Sequence, residues 1–463
     1  MKDMLPAWLT PQEIDTILTK ATEPDAAELS AILEKSLALQ PLGLAEVAAL
    51  LRVESKDGLR SIFEAADKVK QKVYGDRIVL TAPLHLSNHC GSECLYCANR
   101  RGNTLIERRY MTPPEMREAA LHLVRQGHKR VILVSGQLPN ADVEYLAEAV
   151  SVMYTVYEDM GELRRVNINA GLLTEEDFRT LVRYDIGTAL IFQETYHETS
   201  YCAAHKSGPK SNYFKRLNGP DIARQAGVNE VGLGLLLGLG PWQFDLLALT
   251  QHAAHLLRLY GESAHTVSLF RMRPAPGSLF TPPHALRDAD YLRCVAITRL
   301  ALPESGLILT TREPSGLWRN GCSAGASQLI TGSLANPYQD WNEDAGEHGV
   351  RFPMSEDLHV DEVVRFLLEE SHHLPSFCTA CQRLGRVGAE FNTIASDCGM
   401  RSQCGPNSIA SFMEFLLHYA TPYTRGLGDR LIAEKLRALT DSERMAAVRM
   451  LQKVLAGRVD EFI

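Results

Sequence analysis

The sequence lacks both a long apolar run and a basic run. Its first residues, MKDMLPAWLTPQEID, contain no apolar signal core. No stretch reaches the about 18 uncharged apolar residues that a membrane-spanning helix needs. The 48 basic and 56 acidic residues give a formal charge of −8, so neither nucleic acid nor a membrane is an expected partner. These absences predict a cytoplasmic globular protein.

The chain has 10 cysteines but no recognisable export signal. Disulfides are rare in the cytoplasm, so we expect some of these thiols to serve as metal ligands. Cys202, Cys294 and Cys322 have no partner at a ligand-like spacing, and we expect them to be core residues.

Short apolar strands alternate with amphipathic helices through the middle of the chain. The pattern predicts an α/β protein, a (βα)8 TIM-type barrel at 76–335, with a helical N-terminal extension at 1–75 and a mainly helical C-terminal domain at 336–463. The last candidate strand is short and flanked by glycine, so an open six-stranded barrel is the alternative. The predicted strands are Arg77–Ala82, Arg130–Ser135, Arg165–Asn169, Thr188–Gln193, Glu230–Leu236, Thr266–Arg271, Leu307–Thr311 and Gln328–Thr331.

The segment LHLSNHCGSECLYCANR directly follows the first predicted strand and carries Cys90, Cys94 and Cys97, with Tyr96 before the last cysteine. Three thiolates on one loop can hold three irons of a 4Fe–4S cube and leave the fourth iron open. S-adenosylmethionine (SAM) can chelate that iron, and an electron from the cluster then releases a 5′-deoxyadenosyl radical. The spacing therefore predicts a radical SAM enzyme. The alternative is a zinc site that recruits His85 or His89.

A second set, Cys378, Cys381 and Cys404, lies in the C-terminal region, and Cys398 competes as a third ligand. For this loop alone, zinc and iron are about equally good interpretations. The turn expected at Gly405-Pro406, followed by a helix, favours a cluster with one open iron.

These motifs together resemble the HydG family of radical SAM tyrosine lyases, which help assemble the active-site cluster of FeFe hydrogenases. The resemblance covers about residues 45–425, and the second cysteine set distinguishes the family from the related thiamine-pathway tyrosine lyase. The segments that carry it are ELRRVNINAG, FQETYH, GPKSNYFKRL, AHTVSLFRMRPAPG, ILTTREP, and SFCTACQRLGRVG followed by CGPNS.

The resemblance implies a specific chemistry. The radical abstracts a hydrogen from the amino group of L-tyrosine, and the Cα–Cβ bond breaks to give p-cresol and dehydroglycine. The second cluster converts dehydroglycine to carbon monoxide and cyanide, and carries an extra iron bridged by L-cysteine and bound by the residue matching His265. The implied partners are an electron donor such as ferredoxin or flavodoxin and hydrogenase-maturation proteins.

Polar residues at strand ends complete the predicted site. Arg312 ends the seventh strand, where a guanidinium suits a substrate carboxylate; the alternative is a surface salt bridge. Glu194 is a candidate partner for the adenosyl ribose or the substrate amine, and we expect Thr195 to point at the same barrel mouth. The predicted cofactor-binding residues are Tyr96, Gly136, Gln137, Asn167, Asn169 and Gln193.

The chain departs from the family pattern around the first cluster. It has Gly136-Gln137 where the family has Gly-Glu, Ala98-Asn99 where the family has Gly and an aromatic residue, and His85 and His89 where the family tends to have tyrosines. Two alternatives follow. One is a divergent enzyme that acts on another amino acid or stops at p-cresol and dehydroglycine. The other is a non-catalytic iron–sulfur scaffold.

Overall fold

The architecture comes from a computed structural model of the chain. It describes residues 5–137, 143–158, 161–275, 277–278, 280–331, 359–388, 390, 393–394 and 399–463. Among the described helices, none is both long and apolar enough to cross a bilayer.

Helices form the N-terminal region and pack on the outside of the sheet. Asp25 begins the second of them, and its carboxylate accepts hydrogen bonds from the N–H groups of Ala27 and Glu28, which satisfies donors that a helix start leaves open. The fourth is amphipathic, and its buried face includes Ile62 and Val69. The helices of this region are α1 (Pro11–Lys20), α2 (Ala26–Leu37), α3 (Leu44–Leu50) and α4 (Lys56–Tyr74).

Eight parallel strands close into a barrel, which confirms the predicted fold class and makes the open six-stranded alternative wrong. Closure comes from the last barrel strand, where Val79, Leu80 and Thr81 of the first strand pair with Gln328, Leu329 and Ile330. The barrel strands are β1 (Arg77–His85), β2 (Arg130–Val134), β5 (Arg165–Asn169), β6 (Ala189–Leu190), β7 (Val231–Leu237), β8 (Thr266–Arg271), β9 (Gly306–Thr310) and β10 (Gln328–Ile330); a separate antiparallel pair comprises β3 (Tyr157–Glu158) and β4 (Gly161–Glu162).

Helices follow the barrel strands and form the outer layer. Thr112 and Thr174 each begin a helix with a capping box, in which the carboxylate of Glu115 or Asp177 accepts a hydrogen bond from the N–H of the cap residue. The helices are α5 (Pro113–Arg125), α6 (Val143–Thr155), α7 (Glu175–Val182), α8 (Glu198–Ala204), α9 (Tyr213–Leu217), α10 (Gly219–Gln225), α11 (Trp242–Tyr260), α12 (Asp288–Ala301) and α13 (Ser315–Ser323), with a 3₁₀ turn at Pro209–Ser211.

The C-terminal region is mainly helical but contributes one strand to the barrel sheet, which the sequence did not predict. This strand, β11 (Leu374–Ser376), pairs in parallel with the first half of β1, and Val79 contacts both Ser376 and Gln328. The region is therefore joined to the barrel by a β ladder. Its helices are α14 (Val360–Phe366), which continues into a π turn at Leu367–Ser371, α15 (Ala380–Arg383), α16 (Gly399–His418), α17 (Pro422–Ala438) and α18 (Asp441–Leu455).

Candidate functional site

A cavity of about 320 Å³ opens at the C-terminal ends of the barrel strands, the face on which barrel enzymes bind their substrates. Below it, the barrel interior is lined by an apolar belt that includes Ile132, Leu190 and Phe192. The residues predicted from the sequence that line this cavity are Cys90, Cys94, Tyr96, Cys97, Gly136, Gln137, Asn169, Glu194 and Arg312.

The cysteine loop is held over the cavity by backbone hydrogen bonds to two other loops. The N–H of Gly91 donates to the carbonyl of Gln137 at 2.7 Å, and that of Leu95 donates to Ala204 at 2.9 Å. A Cβ added to Gly136 would lie 3.0 Å from Sγ of Cys90, so only glycine lets the loop after β2 approach this closely. The positions of the cysteines are thus set by packing across the barrel mouth.

The three thiols share an environment that disfavours isolated negative charge. Burial, opposed by Lys210 and reinforced by the neighbouring Cys97 and Cys90, raises the pKa of Cys94 to about 12. Burial also raises the pKa of Cys97. Thiolates in such a place need a bound cation to compensate their charge. The donor set therefore fits a positively charged metal centre.

The spacing of the thiols bears on the kind of centre. Among the described residues, no three His, Cys, Asp or Glu side chains converge closely enough to hold a single metal ion. A 4Fe–4S cube bonds each cysteine to a different iron, so its ligands stand farther apart than those of one zinc ion.

Glu194 and Lys210 form a buried ion pair in the cavity wall. Burial opposes the charge on Glu194, but Lys210 and Arg216 outweigh it, and the pKa of Glu194 lies below its usual value. The backbone of Glu194 is left-handed, with φ of 69°, a strained conformation that turns the chain out of β6 toward the cavity. The sequence did not single out Lys210, although it lies in the GPKS segment that carries part of the resemblance.

Tyr96 and His205 form a second polar contact beside the cysteines. The phenol oxygen of Tyr96 lies 2.9 Å from Nε2 of His205, whose Nδ1 lies 2.8 Å from the carbonyl oxygen of Tyr201. Burial lowers the pKa of His205 to about 3, and the nearby ammonium of Lys210 lowers it further. His205 is therefore a neutral hydrogen-bonding support for Tyr96 at neutral pH.

Arg312 and His85 face each other across the opposite wall. Burial lowers the pKa of Arg312, while Cys97 partly restores it. Burial, reinforced by Arg312, lowers the pKa of His85 to about 3. An arginine beside a neutral imidazole forms a site that can bind an anion. Arg312 lines the cavity, as expected from its place at the end of the seventh predicted strand.

Three polar residues do not reach the mouth as predicted. Asn167 lies two residues before Asn169 in β5 and therefore deeper in the barrel. Its Oδ1 accepts a hydrogen bond from the N–H of Thr188 at 2.9 Å. Gln193 is buried and does not line the mouth cavity. Thr195 donates to Asp245 at 2.8 Å. Side chains alternate between the two faces of a strand, but this alternation ends at Glu194. Its left-handed backbone changes the direction of the side chains that follow.

Asp245 holds the loop after β6 in place, and its pKa predicts how the stability of the fold depends on pH. Burial raises its pKa to about 7, against hydrogen bonds from Thr195, Tyr196 and His197. Because the folded-state pKa lies above that of the unfolded chain, stability falls as the pH rises from about 4 to about 7. Asp245→Asn keeps an acceptor oxygen, so it should raise Tm at pH 8 by at least about 2 °C more than at pH 5. Thermal unfolding at both pH values tests this, and an equal shift at both would contradict it.

The second cysteine set lies at the other end of the barrel. A cavity of about 60 Å³ is lined by Cys378, Cys381, Cys404 and His265. The hydrogen bond from Cys381, together with the charge of Arg77, lowers the pKa of the Cys404 thiol below its usual value, although burial opposes them. Cys398 lies outside the described residues.

The turn expected at Gly405-Pro406 is wrong. Both residues lie inside α16, which already begins at Gly399, so Cys404 is carried by the helix and does not precede it. Proline lacks an N–H and normally interrupts a helix interior, which is why the pair predicts a turn. Here the residues after Cys404 are packed against other elements, and Asn407 exchanges hydrogen bonds with the backbone of Ile463.

His265 is held rigidly between neighbouring strands. Its N–H donates to Val231 at 2.9 Å and its carbonyl accepts from Gly306 at 2.9 Å. Its Nε2 lies 3.5 Å from Oε2 of Glu230, which also pairs with Arg165. Burial lowers the pKa of His265, although Glu230 favours its protonated form. The side chain is thus a buried imidazole, mainly neutral, beside the cysteine cavity.

A small polar cavity of about 20 Å³ lies between the two larger ones. It shares Ile132, Leu190 and Ile330 with the mouth cavity. It shares Arg130, His265 and Gln328 with the cysteine cavity at the other end. Adjacent cavities therefore follow the barrel axis from one cysteine set to the other.

Comparisons with known proteins identify the family of this fold. Residues 84–246 match the model of the Radical SAM superfamily, and residues 268–370 match that of the Biotin and Thiamin Synthesis associated domain. The crystal structure of HydG, a maturase of the [FeFe]-hydrogenase, has a TM-score of 0.93 and 34% identity over 99% of this chain and 100% of that chain. The HydG maturase from Carboxydothermus hydrogenoformans has a TM-score of 0.82 and 32% identity over 95% of this chain and 97% of that chain. The 2-iminoacetate synthase of Salmonella typhimurium is 27% identical over 65% of this chain and 77% of its own length.

Proposed function

Because this chain belongs to the HydG family of radical SAM enzymes, we propose that it cleaves the Cα–Cβ bond of L-tyrosine to p-cresol and dehydroglycine. Dehydroglycine is then converted to carbon monoxide and cyanide for hydrogenase assembly. One observation carries the proposal. Cysteine sets line cavities at both ends of one barrel, and neighbouring cavities along its axis share residues.

The mouth cysteines Cys90, Cys94 and Cys97 are proposed to hold the 4Fe–4S cluster that radical SAM enzymes carry. When bound there, the cluster and SAM supply the 5′-deoxyadenosyl radical that starts the reaction. Glu194, ionised beside Lys210, offers acceptor oxygens to the ribose hydroxyls or the substrate amine. The apolar belt gives the floor of the cavity a nonpolar lining, which disfavours water next to a radical and so limits side reactions.

Arg312 is proposed to hold the carboxylate of the amino-acid substrate. Its guanidinium reaches the cavity beside the neutral His85. Arg312→Lys removes the second parallel hydrogen bond to a carboxylate, which should lower kcat/KM for tyrosine about tenfold to a hundredfold. Steady-state p-cresol formation measures this effect, with the exposed Arg287→Lys as control, since Arg287 pairs with Asp290 outside the cavity. An unchanged kcat/KM would remove Arg312 from the substrate site.

Gln137 is proposed to receive the amino group of SAM in place of the family's glutamate. Its Oε1 accepts a hydrogen bond from the N–H of Leu172 at 2.7 Å, and the residue lines the cavity. Gln137→Glu adds a charge-assisted hydrogen bond to an ammonium group and should lower KM for SAM about tenfold. Deoxyadenosine formation at several SAM concentrations measures KM. If KM stays the same or rises, the side chain does not meet the amine.

At the second site, Cys378, Cys381 and Cys404 are proposed to hold another 4Fe–4S cluster, and His265 to bind an additional iron bridged by L-cysteine. His265 lines the same cavity as the three cysteines. Glu230 lies close enough to orient its imidazole ring, as carboxylates commonly do for metal-binding histidines. The cavities along the barrel axis support a route for dehydroglycine from the mouth to this site.

The experiment that tests the proposal is an anaerobic turnover assay. Reconstituted protein is mixed with SAM, a strong reductant and L-tyrosine, and 5′-deoxyadenosine, p-cresol and carbon monoxide are measured together. We expect all three products, with carbon monoxide following p-cresol. Deoxyadenosine without p-cresol at any tyrosine concentration would overturn the choice of substrate, and p-cresol without carbon monoxide would overturn the second step.

A second candidate is a radical SAM enzyme of the same architecture that acts on another amino acid. It is favoured by His85 and Gln137, which replace residues of the family pattern in the cavity wall. Deoxyadenosine formation that depends on a different amino acid would support it. A non-catalytic scaffold is less well supported, because it does not need Arg312 and Glu194 inside a cavity beside the cysteines.

A further inference from the structure

The loop that follows Cys97 carries an unusual charge for this chain. Residues 98–110, ANRRGNTLIERRY, contain four arginines and one glutamate, whereas the whole chain has a formal charge of −8. The same loop carries Leu105, whose side chain is 74% exposed. We call this segment the arginine loop. A positive loop with an exposed apolar side chain has the composition of a protein-binding surface.

Two of the four arginines hold the loop in shape. Arg108 donates to the carbonyls of Asn88, Arg100 and Asn103. Arg100 contacts Glu93 at 3.3 Å and donates to the carbonyl of Gly277 at 2.6 Å. These contacts account for Arg100 and Arg108, and Arg109 pairs with Glu115, which leaves the outer residues Arg101 and Leu105.

The exposed part of the loop lies next to the cysteines. The N–H of Arg101 donates to the carbonyl of Ser92 at 2.9 Å, between Cys90 and Cys94 in the sequence. Its guanidinium contacts Ser207 at 3.3 Å, beside the exposed Lys206, whose N–H donates to Glu93 at 2.9 Å. Arg101 and Lys206 are thus both tied to the backbone of the segment that carries the thiols, and they present positive charge outside it.

We propose that the arginine loop and Lys206 form the docking surface for an acidic one-electron carrier protein. This inference rests on the proposed function, because cleavage of SAM consumes one electron, which must enter through the cluster at Cys90, Cys94 and Cys97. An acidic partner is repelled by most of a chain of charge −8 and attracted by this local positive surface, so the field orients it with its redox centre toward the cysteines. Leu105 supplies the apolar contact of a small, transient interface.

The test uses the full reconstituted chain and a reduced acidic flavodoxin as the sole electron donor. The variants are Arg101→Glu, Lys206→Glu and Leu105→Glu. Matched controls are Arg258→Glu and Leu259→Glu, an exposed pair at the end of α11, where Leu259 is 57% exposed. Because α11 runs from the barrel mouth to the opposite end, these controls change the same residue types far from Cys90, Cys94 and Cys97. Every protein is also assayed with photoreduced deazaflavin, a small donor that needs no docking surface.

We expect each charge reversal in the docking surface to lower the flavodoxin-driven rate of deoxyadenosine formation about tenfold at low salt. The deazaflavin-driven rate and both controls should be unchanged. Raising the salt from 0.02 to 0.3 M should lower the wild-type flavodoxin rate and reduce the difference between wild type and variants, since salt screens exposed charges. Equal losses with both donors, equal losses in the controls, or no loss at all would each overturn the proposal.

Direct binding keeps this test separate from that of the proposed function. The Kd of flavodoxin, measured by fluorescence anisotropy, should rise about tenfold for Arg101→Glu and stay constant for Arg258→Glu. This result does not require turnover. The wild-type protein could bind flavodoxin at the arginine loop and still form no deoxyadenosine with deazaflavin. That result would contradict the proposed function but support the docking surface.

Discussion

Replacing Cys94 with alanine is expected to abolish formation of 5′-deoxyadenosine. Cys94 is the most enclosed of the three mouth thiols, and its loss leaves two ligands that cannot hold a cube with one open iron. The rate of deoxyadenosine formation should fall at least about a thousandfold, which corresponds to about 4 kcal/mol of activation free energy. p-Cresol and carbon monoxide should disappear with it, because both depend on the radical.

The matched control is Cys202→Ala, because Cys202 is exposed, so that its expected core position is wrong, and it lies in α8 outside the mouth cavity. It should leave iron content and all products unchanged. Iron analysis and the low-temperature electron paramagnetic resonance (EPR) spectrum of the reduced protein check the cause independently of turnover. Cys94→Ala should lose one cluster signal and keep the other. Retention of deoxyadenosine formation by Cys94→Ala would contradict the assignment of the mouth site.

Replacing Cys381 with alanine is expected to stop the second step of the reaction and to leave the first step intact. Cys381 lines the cavity at the N-terminal ends of the strands, on the far side of the apolar belt from the mouth. Loss of this ligand should remove the second cluster and leave the mouth site able to cleave tyrosine. Deoxyadenosine and p-cresol should persist within about twofold, whereas carbon monoxide and cyanide should fall at least about a hundredfold.

The fate of dehydroglycine distinguishes this result from general damage. Without the second cluster, dehydroglycine is released and reacts with water to give glyoxylate and ammonium. Glyoxylate should therefore appear in proportion to p-cresol in Cys381→Ala, and much less in the wild type. The control is Cys322→Ala, a change at a buried thiol of α13 that lines neither cavity. Carbon monoxide formation that survives in Cys381→Ala would show that the C-terminal cysteines are not needed for the second step.

Periodicity predicted the barrel well because its strands are buried on both faces. β5 and β8 have the predicted bounds, Arg165–Asn169 and Thr266–Arg271. Such strands appear in sequence as short apolar runs between amphipathic helices. The predicted strand Thr188–Gln193 is shorter in the structure, where β6 covers Ala189–Leu190. The left-handed backbone of Glu194 ends regular pairing there, and no sequence pattern marks a strained non-glycine residue.

β11 was missed for a different reason. Its three residues, Leu374, Pro375 and Ser376, are too short to show a period, and proline normally argues against a strand. They pair with the first residues of β1, before the part of β1 that pairs with β2, and Leu374 lies beside Arg77. Only the completed barrel creates this edge. The link between the C-terminal region and the barrel was therefore invisible in the sequence.

The sequence by itself determined the alternation of strands and helices, the cysteine spacing at the mouth and the family to which the chain belongs. These are local or periodic properties, and the backbone geometry of strands, helices and short loops expresses them directly. The tertiary structure alone decided which polar side chains share a cavity: it paired Lys210 with Glu194, turned Thr195 to Asp245 and brought His265 to the C-terminal cysteines. These residues lie far apart along the chain or follow a change in backbone direction, so only closure of the barrel brings them into contact.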